Sequence, residues 1–477
     1  MPRVKELGEL KNFERALVTF AFGVDALTGA DPLSKSGRDH FIIDTWTSGL
    51  PAPEIYSHPI AFFMRANGGV TGLKNDGTLR EFLKSTSLYS FPNAIRNMVD
   101  EGNVEPSRRA YLNNIVNTLE HILHTLDPNK QTPDYDARYS SVTGYKVASL
   151  AVDSVRLRKK LEESLKNAGF EVTAKRGLRE SVLAWEKDRG YIGERDDGTI
   201  DGQVVKEMFL GYVHKLLNIA RERRFKQMNF GIPGYAPDLS DVPFDGFEFE
   251  PLSNVEFTGS SIYRGGGSDV PELKGLLEYN TDHELTKVGL VHLAAHEVMI
   301  GHYFNSAVAD LLYRAGKLPF ESTMGFMCAP STTFQEGWAE NALAVIYGSE
   351  ELAIQGAAKD FGVDANDLRI AFIRSELQNV AKHNVSFLYQ KESKSLDSVR
   401  EHVRGKCVQN DSIVEKLSGG WATSPLTGPL YGPAYLVGSK TVGTAITHVG
   451  AERVAEVGLQ TTGRLADIKT FRDQIWD

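Results

Sequence analysis

His296-Glu297-Val298-Met299-Ile300-Gly301-His302 (HEVMIGH, 296–302) sits inside a long helical pattern, HELTKVGLVHLAAHEVMIGHYFNSAVADLLYRAGK, that spans 283–317. A hydrolytic zinc needs about three protein ligands, an open position for water, and a carboxylate nearby to take the water's proton. The usual helical solution is H-E-x-x-H, because residues four apart share a face. Here the second histidine comes six positions after the first. Six steps rotate it about 240° round a regular helix, onto the wrong face. Two arrangements restore a site. In one, the helix breaks between Val298 and His302, Gly301 supplies the conformational freedom, and His292 becomes a buried or supporting residue. In the other, His292 and His296, four apart, form the ligand pair, but no carboxylate then stands in the usual place after the first ligand. The first fits the motif logic better.

A third ligand has to come from another element. In FQEGWAEN (334–341), Glu336 and Glu340 are four apart and share a helix face. One of them can bind metal while the other orients a ligand histidine. A lone glutamate near a helix start is ordinarily there for the helix dipole; beside HE…GH it becomes a candidate ligand. A peptidase transition state also wants a donor for its oxyanion. Tyr431, Tyr435, His383 and Arg374 are candidates, although each taken alone is more often structural.

Three segments share a family resemblance. HEVMIGHYF resembles the H-E-x-x-P-G-H-H pattern of the bacterial family called domain of unknown function 885. FQEGWAEN resembles its E-G-W-A pattern, and GPLYGPAYLVGSK (428–440) resembles its P-G-Q-A-x-x-Y-x-x-G pattern. The text LLEYN (276–280), read as an edge strand ahead of the first motif, also fits. The likeness covers about 270–450. It implies a zincin-like metallopeptidase, mostly helical with a deep cleft. It also implies a metal held by His296, His302 and Glu336, Glu297 as base, and a part for Tyr435. Ile300 stands where the family has proline, and Tyr303 stands where it has the second of two paired histidines, so His302 alone of that pair remains. Glu340 is a carboxylate that the family pattern lacks at that place.

Away from these motifs, the first half reads as helices joined by turns. Apolar residues recur at three- and four-residue spacing in 10–27, 108–126, 143–169 and 202–224, with Gly169 as the stop of the third. NFGIPGYAPDLSDVPFDG (229–246) is rich in proline, glycine and aspartate and is the expected boundary between an N-terminal helical lobe, 1–240, and a catalytic lobe, 241–477. FEFEPLSNVEFTGSSIYRGGG (247–267) and LKGLLEYN (273–280) contain short strand-like stretches. The glycine cluster Tyr263–Gly267 lacks a G-K-[ST] ending and reads as a loop. Asp196–Gly202 fails as a calcium loop and reads as a turn. His121 and His124 have no third partner near them in sequence. No G-x-S-x-G elbow is present, which counts against a serine hydrolase.

A net charge of -9 argues against a general nucleic-acid binder, and 41% hydrophobic residues with 24% charged describe an ordinary globular chain. The start, MPRVKELGELKNFERA, has no apolar run after its basic residues, and ALVTFAFGVDAL is far short of a membrane span. The cytoplasm is therefore the expected location. Cys328 and Cys407 are too few and too isolated for a disulfide scaffold or a cysteine-rich zinc site.

The expected fold is mainly α, with a small sheet beside the first metal helix and a cleft between the two halves. The expected function is metal-dependent hydrolysis of a peptide or small amide, with one divalent ion, zinc by chemistry. Its site residues are His296, His302, Glu336, Glu297, Tyr435 and His383. Two alternatives stand beside it: a catalytically inactive relative that binds a peptide or ligand, and an amidase or esterase acting through the same metal.

Overall fold

The computed structural model describes residues 7–28, 43–45 and 76–476, apart from 103, 149, 243–246, 254–258, 264–274, 282–284, 464 and 466. Most of the glycine cluster after Tyr263 therefore lies outside the described residues. Helix α1 (Leu7–Ala26) comes first, followed by the short strand β1 (Ile43–Thr45). Helix α2 (Pro106–Leu126) shows how the periodic pattern becomes a core. Pro106 opens it, and the Glu105 carboxylate accepts from the backbone N–H groups of Ser107 and Arg108. Leu112, Ile115, Val116, Leu119, Ile122 and Leu123 form its buried stripe, facing α1 residues such as Leu17, Phe20 and Val24.

The stretch expected to be one helix over 143–169 forms only α3 (Val155–Asn167). Gly144 takes φ 68 and caps the preceding helix instead, so the apolar residues of 145–152 line a connecting segment. Gly169, at φ 88, closes α3 as expected. Helices α4 (Leu178–Arg189) and α5 (Gly202–Arg223) complete the first half. Asp201 caps α5 by accepting from Gln203 N–H, and the turn before it bends at Gly198, φ 80.

The sheet follows. β2 (Phe247–Leu252), β3 (Gly259–Tyr263) and β4 (Gly275–Asn280) lie in the order β2-β4-β3, with β2 parallel and β3 antiparallel to β4. LLEYN was expected at an edge. It is instead the central strand, and all six residues of β4 are buried. The edge strand beside the helices that carry the HE…GH segment is β3. A strand covered on both faces usually reads as a nearly continuous apolar run; this one does not, because Glu278 and Asn280 are buried within it.

Two helices carry the HE…GH segment: α6 (Lys287–Glu297) and α7 (His302–Arg314). Strand β5 (Met324–Phe326) pairs with β1 and leads to α8 (Pro330–Glu340). Helix α9 (Ala365–Ser386) and helix α10 (Gly432–Thr462, broken at Gly450) close round them. α8 and α10 cross at glycines. A Cβ on Gly337 would strike the backbone of Gly438, and one on Gly438 would strike the carbonyl of Thr333. Trp338 is fully buried with its ring over Gly458. Within EGWA, therefore, the Gly and Trp set the approach of α10 while the Glu faces the site.

One apolar cluster takes Leu161, Trp185, Phe209 and Leu216 from the first half. It joins them to Val291, Phe304, Trp338 and Val442 from the second. Cys328 and Cys407 are both buried and free, with burial pushing each thiol up to about 12. Among the described residues, no helix is long and apolar enough to cross a membrane.

Candidate metal centre

Thr286 starts α6 by accepting from Gly289 N–H, and the helix runs regularly to Glu297. It then loses register. Both Val298 and Met299 direct their N–H groups to the Ala294 carbonyl, and Ile300 turns left-handed at φ 58. α7 restarts at His302, with Asn305 N–H and its side-chain amide both on the Gly301 carbonyl. The expected break between Val298 and His302 is present, but its cause differs from the expectation. Ile300, not Gly301, takes the strained conformation. That strain costs about 1–2 kcal/mol, and full burial of the isoleucine side chain returns a similar amount or more. Gly301 is needed for space: a Cβ there would collide with the carbonyl of His296 and lie 2.7 Å from that of Ala295. A proline at position 300 could not adopt this φ, so the turn here is built differently from one made by proline.

The break brings the two histidines together. His296 Nε2 and His302 Nε2 are 3.2 Å apart, and each is 3.6 Å from Glu336 Oε2 on α8. Ligands at 2.0–2.2 Å from a tetrahedral ion stand about 3.4 Å from one another, so the three atoms have the spacing of three corners of a zinc site. Glu336 Oε2 and His296 Nδ1 are buried with no hydrogen-bond partner. Glu336 itself is 1% exposed. A buried carboxylate oxygen left without a partner is costly, and a bound cation removes that cost. The donor set, one carboxylate and two imidazoles, is one that zinc accepts.

Supporting contacts hold each ligand. Tyr431 O–H donates to the other Glu336 oxygen at 2.9 Å. Glu340 lies with one oxygen 3.5 Å from His296 Nδ1 and the other 3.6 Å from His292 Nε2, and Ser375 donates to it at 3.1 Å. A carboxylate behind a ligand imidazole fixes its tautomer and raises its basicity. The alternative pair, His292 and His296, also converges with Glu340, but on the Nδ1 side of His296. His292 thus shares a carboxylate with His296, and the set with two Nε2 atoms and Glu336 gathers round the orphaned oxygen.

Charges follow from burial and from neighbours. Burial lifts Glu297 to about 7 and drops His296 to about 4. Burial also acts to lower His302, but the Glu336 carboxylate overrides it and raises His302 to about 9. Burial works to raise Glu340, yet its hydrogen bond to His292 and the nearby imidazoles bring it well below the usual carboxylate range.

A cleft of about 300 Å³ reaches this centre at His296; His292 and Glu340 also line it, whereas His302 and Glu336 are not among its lining residues. Glu297, Tyr435, Gly259 of β3, and Trp185 and Glu186 of α4 complete the part of its lining that bears on the chemistry. A volume of this size suits a small ligand or short peptide segment. The Tyr435 ring stacks on His296, centroids 6.5 Å apart and nearly parallel, and its hydroxyl meets that of Tyr431 at 2.7 Å. His383 is elsewhere. It packs edge-on against Tyr139 and bonds to Asn384, away from the cleft. Arg374 reaches the cleft but is ion-paired with Glu186. Sequence reasoning passed over Lys382, the residue before His383. It lines the cleft with its ammonium 3.2 Å from the Tyr435 ring centre. One helical step of about 100° separates the two side chains, and only the register of α9 decides which faces the site.

No family model and no curated protein matches the chain. Solved structures do. A protein described as a "putative lipoprotein from Colwellia psychrerythraea" is 16% identical with a TM-score of 0.53, over 86% of this chain and 71% of its own. At that identity the match speaks for the fold alone. A second, described as a "putative lipoprotein of unknown function from Shewanella oneidensis", is 11% identical with a TM-score of 0.48, over 90% of this chain and 80% of its own. Trypanosoma cruzi metallocarboxypeptidase 1 is 12% identical with a TM-score of 0.35, over 98% and 96% of the two chains. The last two likenesses are too loose to support an argument.

Proposed function

We propose that the chain is a metal-dependent hydrolase of the zincin-like kind, cleaving peptide or related amide bonds, and a relative of the domain of unknown function 885 family. The observation that carries this reading is the convergence of His296 Nε2, His302 Nε2 and Glu336 Oε2 within 3.2–3.6 Å, with Glu297 beside them in the cleft. These residues would hold the ion, and zinc fits the donor set best. When bound, such an ion polarises the scissile carbonyl and acidifies the attacking water.

The chain's own residues supply the rest. Glu297 takes the water's proton and passes it to the leaving amine. Its burial keeps its proton affinity near neutrality, which suits a group that must both accept and donate. Tyr431 and Glu340 keep Glu336 and His296 in place. Tyr435, with its ring stacked on His296 and its hydroxyl beside that of Tyr431, is the candidate donor to the developing oxyanion.

The test is turnover of a mixed peptide library by the zinc-supplemented protein, before and after chelation, with small amides and esters in parallel. Cleavage of peptides that stops with chelator and returns with zinc is expected. Cleavage of esters or small amides alone would move the assignment to an amidase or esterase. No turnover after zinc addition would favour a binding protein that has kept the fold.

A further inference from the structure

The cleft wall formed by α9 carries two donors, on Asn379 and Lys382, beside others that are already paired with Glu186 and Glu340. Arg374, Ser375, Gln378, Asn379 and Lys382 lie along one face of this helix and line the cleft. Asn379 is 2% exposed and its Nδ2 has no hydrogen-bond partner. One turn further on, among the described residues, Lys382 has no carboxylate oxygen within ion-pair distance. Its ammonium rests on the faces of Tyr435, at 3.2 Å, and Trp421, at 5.7 Å. Side chains three apart on a helix are neighbours, about 5–6 Å between Cβ atoms. The amide and the ammonium thus form a two-donor pair on the cleft that Glu297 and His296 also line. An unpartnered donor on a residue that lines a cleft can be satisfied by an acceptor entering that cleft.

Charge decides what kind of acceptor. Glu297 and Glu340 on the cleft lining and Glu336 beside them bring three formal negative charges near Lys382; a divalent ion and Lys382 together balance them. A carboxylate arriving there meets a centre that is neutral overall, with the Lys382 ammonium on the cleft lining. Without Lys382 it would meet a net negative charge. From Lys382 to Arg374 the wall runs about 12 Å, room for three or four residues of extended chain.

We propose that Asn379 and Lys382 recognise a carboxylate on the substrate next to the bond that is cut, so that the substrates are acidic at that position. This rests on the hydrolase reading above. Two sources share the chemistry: the free C-terminus of a peptide, or an acidic side chain.

The experiment measures binding, so that it does not depend on turnover. The full-length, zinc-supplemented Glu297→Gln protein is titrated calorimetrically with three acetylated tetrapeptides: one with a free C-terminal acid, the same peptide as its amide, and the amide with glutamate at the last position. At least one carboxylate peptide is expected to bind about 10- to 100-fold more tightly than the neutral amide, the usual worth of a charged hydrogen bond. Which one binds identifies the source. The preference should vanish in Lys382→Met and persist in Lys382→Arg. Equal binding of all three peptides, no binding of any, or a preference unchanged in Lys382→Met would overturn the proposal. A protein that cleaves peptides without an acid preference loses this inference and keeps the hydrolase reading. A protein that binds acids tightly and cleaves nothing does the reverse.

Discussion

Glu297→Gln is expected to lower peptide turnover about 100- to 10,000-fold, the range that general acid–base catalysis supplies, with metal content unchanged. The amide has the size of the carboxylate but cannot accept the water's proton. The substitution should not harm the fold, and pH gives the sign. Burial raises this carboxyl from 4.5 to about 7 in the metal-free protein. The native state then holds a proton that the unfolded chain releases, so stability falls as pH rises through that window and is lowest above it. Glutamine removes that penalty. In chelator above pH 7, the variant is expected to melt above the wild type; below pH 4.5 the two should converge. Turnover within twofold of wild type would remove Glu297 from its role.

Gly301→Ala is the second large effect. One added methyl would overlap the carbonyl of His296, a backbone atom that cannot swing aside. Overpacking usually costs about 1–3 kcal/mol, and backbone against backbone belongs at the upper end. Any relief must come from moving the end of α6 or the start of α7, which carry His296 and His302. Zinc affinity should therefore drop by more than the roughly 10- to 100-fold typical of losing a supporting contact. Calorimetry and thermal melts on the purified variant check both. Wild-type affinity and melting temperature in Gly301→Ala would show that the turn can open without cost.

That glycine marks where sequence reasoning stops. The spacing of His296 and His302 was enough to require a break in the helix, because six residues do not return to the same face. It could not say how the break is made. Glycine was credited with freedom of φ, whereas the structure gives the left-handed turn to Ile300 and uses Gly301 for its missing Cβ. Close approach between backbone segments is a tertiary fact, and nothing local reports it. The same limit applies to Gly337 and Gly438, whose contact across α8 and α10 decides where Glu336 stands. Glu336 and Glu340 on one helix face could be read directly; which of them faces two Nε2 atoms could not. The edge strand was misplaced because LLEYN reads the same in the middle of a sheet as at its side. Lys382 was missed because the histidine beside it looks more like chemistry, and a single step of helix register separates the cleft from the core.

The measurement closest to the central claim is zinc binding itself, by calorimetry on the wild-type chain and on His302→Ala and His292→Ala. If His296, His302 and Glu336 form the site, the wild type binds one zinc per chain. His302→Ala then loses tight binding, and His292→Ala retains it with affinity reduced about 10- to 100-fold at most, as for a residue that acts through a shared carboxylate. No zinc bound by the wild type would contradict the account. So would the opposite pattern, with binding lost in His292→Ala and kept in His302→Ala.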